Sequence, residues 1–187
     1  QALGGWLPVE LAARVPFIAL LLLTFSATWY GVYYLARSPG AQPVAFAFGG
    51  EAQPADYARA MADGGLLALI ACLGLAQLAH ETTGYLTQLA CTALLFFAGA
   101  AMPWRMAWPL LAALAGLLGL VLSGAPTLAM LLGLGSAWLV WCGHGPTLRT
   151  RATALAFMLA LTMLAALLAL QLDLWRWRIV ALHDPRE

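Results

Sequence analysis

Residues 66–101, LLALIACLGLAQLAHETTGYLTQLACTALLFFAGAA, consist of two apolar runs separated by a short polar cluster. As one helix, these 36 residues would extend about 54 Å, nearly twice the ~30 Å of a bilayer's hydrocarbon core. We therefore predict a hairpin whose turn is HETTG, residues 80–84, with Gly84 in the tight turn and Thr82 or Thr83 capping the next helix. This stretch decides between six membrane spans and five.

The polar side chains around this turn have helical spacing. Gln77, His80, Glu81 and Gly84 lie at i, i+3, i+4 and i+7, and Gln88 continues the series, so an unbroken helix would align them in one stripe. A turn would instead place His80 and Glu81 in water at the membrane surface. We favour the turn. The alternatives are a functional polar site at a cavity mouth and a re-entrant or deeper placement, because ionisable groups inside membranes are usually functional. That candidate polar site comprises Gln77, His80, Glu81 and Gln88.

The composition of the chain is that of an integral membrane protein. Of 187 residues 63% are hydrophobic and 9% charged, and the mean hydropathy is +0.85. A water-soluble surface needs more charge than this. The apolar runs do not alternate with period two, so helices are expected rather than barrel strands. All 9 basic residues are arginines, which favours a bacterial source, and the net charge of +1 gives no reason to expect a nucleic-acid partner.

The apolar runs predict an all-α, polytopic helix bundle that forms one membrane domain over residues 1–187. Six runs qualify as spans, and five is the alternative if the predicted hairpin does not form; the second, fourth and fifth runs are short for a perpendicular span. Residues 37–63 form a loop whose second half, PADYARAMADGG from Pro54, predicts a short interfacial helix. The spans are Val15–Ala36, Gly64–Ala79, Thr82–Ala101, Met106–Leu122, Pro126–Gly143 and Ala152–Leu172.

Tryptophans and arginines cluster at two places outside the spans and predict anchors at the membrane interface, where such side chains are enriched. Residues 173–187 form the C-terminal anchor, and Asp173 is spaced to pair with an arginine three residues later. The predicted anchors are Trp104, Arg105 and Trp108 in MPWRMAWP, and Trp175, Arg176, Trp177 and Arg178 near the C-terminus.

A group of four aromatic residues ends the first span. An interfacial belt is the common role of such a group, and the alternative is a surface for a protein partner or a flat, lipid-like ligand. Its members are Trp29, Tyr30, Tyr33 and Tyr34.

Small residues predict close helix contacts. Ser136, in GLGSA, lacks the final glycine of a nucleophile elbow and the strand that precedes one, so we interpret Ser136, Gly133 and Gly135 as a packing site. Four further pairs with small-xxx-small spacing are Ala112 and Gly116, Ala115 and Gly119, Ala156 and Ala160, and Ala165 and Ala169.

The histidines and cysteines do not predict a cofactor or metal site. With six spans, His80 and His144 lie on opposite membrane faces and His183 lies in a polar tail, so a bis-histidine haem is not expected. No cluster has zinc or copper spacing. The three cysteines lack CxxC spacing and are expected to be small, buried apolar residues: Cys72, Cys91 and Cys142.

Three functions fit this sequence. The first is a non-catalytic accessory subunit of a larger bacterial inner-membrane complex, packed against other subunits and lipid through small-residue faces. The second is a small-solute channel or transporter with the candidate polar site as its vestibule. The third is a membrane enzyme that acts on a lipid, with His80 or Glu81 as acid or base. We expect both termini in the cytoplasm, because basic residues are dense near the C-terminus and acids offset the arginines of the first loop.

Overall fold

The described part of the chain consists of six α-helices without a strand, as predicted. The computed structural model describes residues 9–43, 52–72, 84–142 and 147–175. Three helices have the length and apolar composition to cross a membrane, at Arg14–Ala36, Gly84–Ala101 and Leu148–Gln171. The helices are α1 (Val9–Ala36), α2 (Pro54–Ala71), α3 (Gly84–Ala101), α4 (Ala107–Leu122), α5 (Pro126–Cys142) and α6 (Leu148–Gln171), with a 3-10 turn at Pro39–Ala41.

The predicted interfacial helix is not a separate element. α2 continues without a break through Gly64 and Gly65, where we expected the interfacial helix to end. At Gly65 an added Cβ would lie 2.9 Å from Cγ2 of Val32, so this glycine allows α2 to pack closely on α1. The expectation was wrong because the glycine serves a helix contact rather than a helix end. Residues 73–79 of the predicted second span lie outside the described residues.

Helices α1, α3 and α5 are parallel to each other, and α4 and α6 are antiparallel to them. Gly31 contacts Phe96 and Arg37 contacts Trp104, so α1 and α3 run in the same direction. The bundle therefore has an Arg105 end, where α1, α3 and α5 finish, and a Ser123 end, where α1 and α3 begin and α6 finishes. The pairs that establish the other directions are Cys91–Gly116, Gln88–Ser123, Leu95–Ser136, Gly133–Thr162 and Trp141–Arg151.

The core lies between α3, α4, α5 and α6, while α1 and α2 form a pair that packs on α3. Apolar burial alone does not hold membrane helices together, because lipid tails are as apolar as leucine, so close backbone approach matters most. An added Cβ at Gly99 would lie 3.1 Å from Cα of Ser136, and one at Gly116 would lie 2.9 Å from the Cys91 carbonyl oxygen. These glycines bring α3 into close contact with α5 and α4.

The predicted packing sites are confirmed in part. Gly133 faces Thr162 of α6, whereas Gly135 has open space around it and was wrongly expected at a contact. Of the small-residue pairs, Ala112 with Gly116 and Ala165 with Ala169 are buried. Ala156 and Ala160 are both exposed, so this pair makes no close contact among the described helices. In the remaining pair Gly119 faces Cys91, but Ala115 is exposed.

Each buried polar side chain of the described helices is bonded to a main-chain carbonyl. The Thr24 hydroxyl donates to Leu20 at 2.8 Å, and the Thr162 hydroxyl donates to Met158 at 2.8 Å, both within their own helix. Ser136 donates across the bundle to the Leu95 carbonyl at 3.0 Å. The Ser136 bond therefore joins α5 to α3, whereas the two threonine bonds satisfy each hydroxyl within its own helix.

The α4–α5 connection is the tight turn that SGAP predicts. Gly124 has a φ of +81°, a conformation that favours glycine, and Pro126 begins α5. The Ala125 amide donates to the Leu120 carbonyl and the Gly124 amide to the Val121 carbonyl, which is the Schellman pattern of a helix end.

The cysteine prediction holds for one residue of three. Cys91 is buried against α4, but Cys72 and Cys142 are exposed. Both exposed cysteines lie where a helix ends, Cys72 just after α2 and Cys142 as the last residue of α5, and neighbouring helices cover a helix end less completely.

Candidate functional site

The four aromatic residues near the end of α1 form two pairs on two faces of the helix. Trp29 and Tyr33 stack with ring centroids 5.4 Å apart, and Tyr30 and Tyr34 both contact Phe97 of α3, at 6.4 and 6.2 Å. Residues four apart share a helix face, which explains this division. The first pair lies beside α2 and the second lines a cleft between α1, α3 and α4.

Trp29 connects α1 to α2 through a side-chain hydrogen bond. Its indole Nε1 donates to Oδ1 of Asp63 at 2.8 Å. Asp63 is one of the acids that offset the arginines of the first loop, and although its side chain is exposed it has this specific partner. Its role was missed because the two residues are 34 positions apart and no local pattern joins them.

We expect Asp63→Leu to lower the free energy of unfolding by about 1–2 kcal/mol, because the bond from Trp29 to a charged acceptor is lost. Asp63→Asn keeps an acceptor oxygen and should lose less. Asp56→Leu is the matched control, since Asp56 lies on the same helix but pairs with the exposed Arg59. Thermal unfolding midpoints in detergent test this; equal shifts for Asp63→Leu and Asp56→Leu would contradict a specific role for the Trp29–Asp63 bond.

The second aromatic pair lines an open cleft of about 540 Å³, which we name the aromatic cleft. This volume falls within the roughly 300–1,000 Å³ of small-molecule sites. The walls are mainly apolar, and the cleft extends along α4 from the Arg105 end toward the middle of the bundle. The lining residues are Leu23, Tyr30, Tyr34, Leu94, Phe97, Arg105, Trp108, Pro109, Leu111, Ala112 and Ala115.

The aromatic cleft carries positive charge at one end. Arg105 belongs to its lining and is exposed, and no carboxylate within the described part of the chain pairs with it. The guanidinium carbon of Arg37 lies 5.9 Å from the ring centroid of Trp104, the neighbour of Arg105, so a second positive charge lies at the same end. The cleft is thus amphipathic, with an apolar body and a cationic end.

The predicted anchors lie at both ends of the bundle. Trp104, Arg105 and Trp108 lie at the Arg105 end, and the Trp108 side chain is 70% exposed. Trp175 follows α6 at the Ser123 end and is exposed. Arg176, Trp177 and Arg178 lie outside the described residues, together with the expected Asp173–Arg176 pair. The anchor role of both groups stays a prediction.

The candidate polar site is described at one residue only. Gln77, His80 and Glu81 lie outside the described residues, so the arrangement of the site stays a prediction. The Gln88 amide nitrogen lies 3.4 Å from the Ser123 carbonyl and donates to it, which ties α3 to the α4–α5 turn.

Arg151 is a structural residue that the sequence analysis did not single out. It follows the start of α6, and its guanidinium donates to the carbonyl of Trp141 in the last turn of α5. A cation at a helix C-terminus is favourable because the helix dipole is negative there. The available signal was its position in the first turn of α6, nine residues after α5 ends at Cys142.

Among the described residues, no group of three or more His, Cys, Asp or Glu side chains could hold a metal ion, and all three histidines lie outside them. No family model, curated protein or solved structure matches the chain. The fold and the cleft define a class for the described part of the chain: an all-helical bundle with three helices suited to cross a membrane and an amphipathic surface cleft.

Proposed function

We propose that the chain is a non-catalytic accessory subunit of a larger complex in a bacterial inner membrane, where it contacts lipid and other membrane subunits. In this proposal all six helices cross the membrane. Residues that follow α2 complete the second span. The N- and C-termini lie in the cytoplasm. The start of α1 and the end of α6 at the same end of the bundle support an even number of crossings.

The observation that carries the proposal is the chemistry of the bundle interior. Thr24, Ser136 and Thr162 are the buried polar side chains of the described helices, and each is bonded to a main-chain carbonyl. A transport path or catalytic centre within membrane helices needs polar groups that can bind a solute or move a proton. The interior of the described helices supports a packing role, in which the outer surface would make the functional contacts.

The outer face of α6 offers an apolar surface that suits a partner helix. On α6, Ala156 and Ala160 are exposed and lie on one face, where another helix can approach closely. Large side chains continue that face, namely Met163, Leu167 and Leu170. The outer face of α5 instead carries large side chains and suits contact with lipid; they are Leu128, Leu131, Leu134, Trp138 and Trp141.

Purification of the full chain from its native membrane in mild detergent tests the proposal. We expect a stoichiometric complex of several chains, with a size above that of a monomer of 19.8 kDa in its detergent micelle. Ala160→Phe should reduce the recovered partner at least tenfold, because a large side chain prevents close helix approach. Gly135→Phe is the matched control: it also introduces a large side chain on an exposed face, but on α5.

A lone wild-type chain that elutes as a monomer would refute the subunit role. Solute uptake by the purified chain in liposomes would then favour the alternative of a channel or transporter with a vestibule at Gln77, His80, Glu81 and Gln88. Equal loss of partner in Ala160→Phe and Gly135→Phe would mean that the α6 face is not the specific contact.

A further inference from the structure

The aromatic cleft combines features that suit one chemical class of ligand. Its apolar walls extend from Trp108 to Ala115, about 11 Å along α4 at 1.5 Å per residue. Arg105 supplies positive charge at one end, while Tyr30 and Trp108 form exposed aromatic rims. A ligand that fills this space needs an apolar tail and an anionic head.

We propose that the aromatic cleft binds one anionic phospholipid from the surrounding bilayer, with its phosphate at Arg105 and an acyl chain along α4. Guanidinium groups bind phosphate through paired N–H donors, and basic sites between membrane helices bind anionic lipid headgroups. Arg37, held beside Trp104, adds attraction at the same end. This inference goes beyond the proposed subunit role and concerns a different surface.

The shape of the cleft favours a lipid over a partner helix. Close helix packing in membranes needs small residues on the approaching faces, but the rims here are large and exposed: Tyr30 is 49% exposed and Leu111 is 57% exposed. A flexible acyl chain can enter between such side chains, whereas a helix backbone is kept away by them. Tyrosine and tryptophan also prefer the headgroup level of a bilayer.

Native mass spectrometry of the delipidated full chain tests the proposal with two lipids of identical acyl chains, phosphatidylglycerol and phosphatidylcholine. We expect one phosphatidylglycerol to bind more tightly than phosphatidylcholine. Arg105→Gln should reduce this preference about fivefold, equivalent to the ~1 kcal/mol that one basic residue contributes near an anionic lipid surface. Ala115→Phe should weaken both lipids, because its ring occupies the acyl-chain region.

Two control variants separate the cleft from general surface effects. Arg149→Gln removes the same charge at the same end of the bundle, outside the cleft lining, and should leave the preference unchanged. Ala152→Phe adds the same ring to an exposed position of α6 and should leave both affinities unchanged. Arg105 is exposed, so its replacement should leave folding intact, and elution as wild type verifies this.

Equal affinity of the wild type for the two lipids would overturn the proposal. Equal loss of preference in Arg105→Gln and Arg149→Gln would also overturn it, since the charge effect would then belong to the whole surface. A dimer that phosphatidylglycerol cannot dissociate, and whose formation Ala115→Phe prevents, would identify a second copy of the chain as the occupant and equally refute lipid binding.

Discussion

Gly116→Leu is expected to prevent assembly of the folded bundle. A Cβ at position 116 would lie 2.9 Å from the carbonyl oxygen of Cys91 and 3.0 Å from Cγ of Leu95. The oxygen belongs to the α3 backbone and cannot rotate away, so α3 and α4 would have to separate. α3 also holds α1 and α5, and the change should therefore affect the whole bundle rather than one contact. The milder Gly116→Ala should cost about 1–3 kcal/mol, the usual cost of overpacking.

Gly135→Leu and Gly135→Ala are the matched controls for this prediction. Gly135 also lies within an apolar helix, but an added Cβ there meets nothing within 4 Å. Gly135→Ala should be neutral or stabilising by up to about 1 kcal/mol, because alanine favours helix more than glycine. Size-exclusion chromatography and thermal unfolding in detergent measure both effects. Normal elution and stability of Gly116→Leu would show that α3 and α4 do not approach as closely as the structure indicates.

The helices were predictable because local signals mark where they begin and end. In SGAP, one glycine with positive φ and one proline end α4 and begin α5, and both signals act over a few residues. The six predicted apolar runs each overlap one of the six helices of the described chain. Helix class and approximate bounds follow from chain-local chemistry that does not depend on packing.

Local signals did not predict which face of each helix points toward the other helices. Gly133 and Gly135 have the same local composition, but positions i and i+2 are rotated by about 200° around a helix axis. Only Gly133 therefore faces α6. A membrane helix is apolar all round, so hydrophobic periodicity does not show which side faces inward. For the same reason the sequence did not indicate the role of Phe97. It is one of several apolar residues in α3, but it completes the wall of the aromatic cleft.

Thr83→Cys, in an otherwise cysteine-free chain, is expected to react rapidly with a membrane-impermeant thiol reagent from one side of the membrane. Thr83 directly precedes Gly84, where α3 begins at the Ser123 end. The bond from Gln88 to Ser123 sets the α4–α5 turn level with Gln88. α3 thus begins about 6 Å beyond that turn, at 1.5 Å per residue. This position of the helix start favours exposure of Thr83 to water.

Two further single-cysteine chains calibrate the reaction. A chain that retains only Cys91 should resist labelling, because this residue is 6% exposed and its thiol packs against Gly119. Gln53→Cys, just before α2, should react from the opposite side in the six-span topology. With cytoplasmic termini, Gln53→Cys reacts in intact cells, whereas Thr83→Cys reacts only after the inner membrane is permeabilised. The reverse pattern would agree with the predicted hairpin but would place both termini on the side opposite the cytoplasm.

Protection of Thr83→Cys from both sides would mean that the hairpin is wrong and that Gln77, His80, Glu81 and Gln88 form a buried stripe. Rapid labelling fits either a wet turn or a cavity mouth, and substitutions separate these two. In a wet turn, His80→Ala and Glu81→Gln should change stability by no more than about 0.5 kcal/mol and leave complex assembly intact, because exposed polar groups contribute little. At a cavity mouth the same variants should still assemble but lose solute uptake in liposomes. Intact assembly without any uptake by the wild type would favour the turn, since its polar groups would then have no solute to bind.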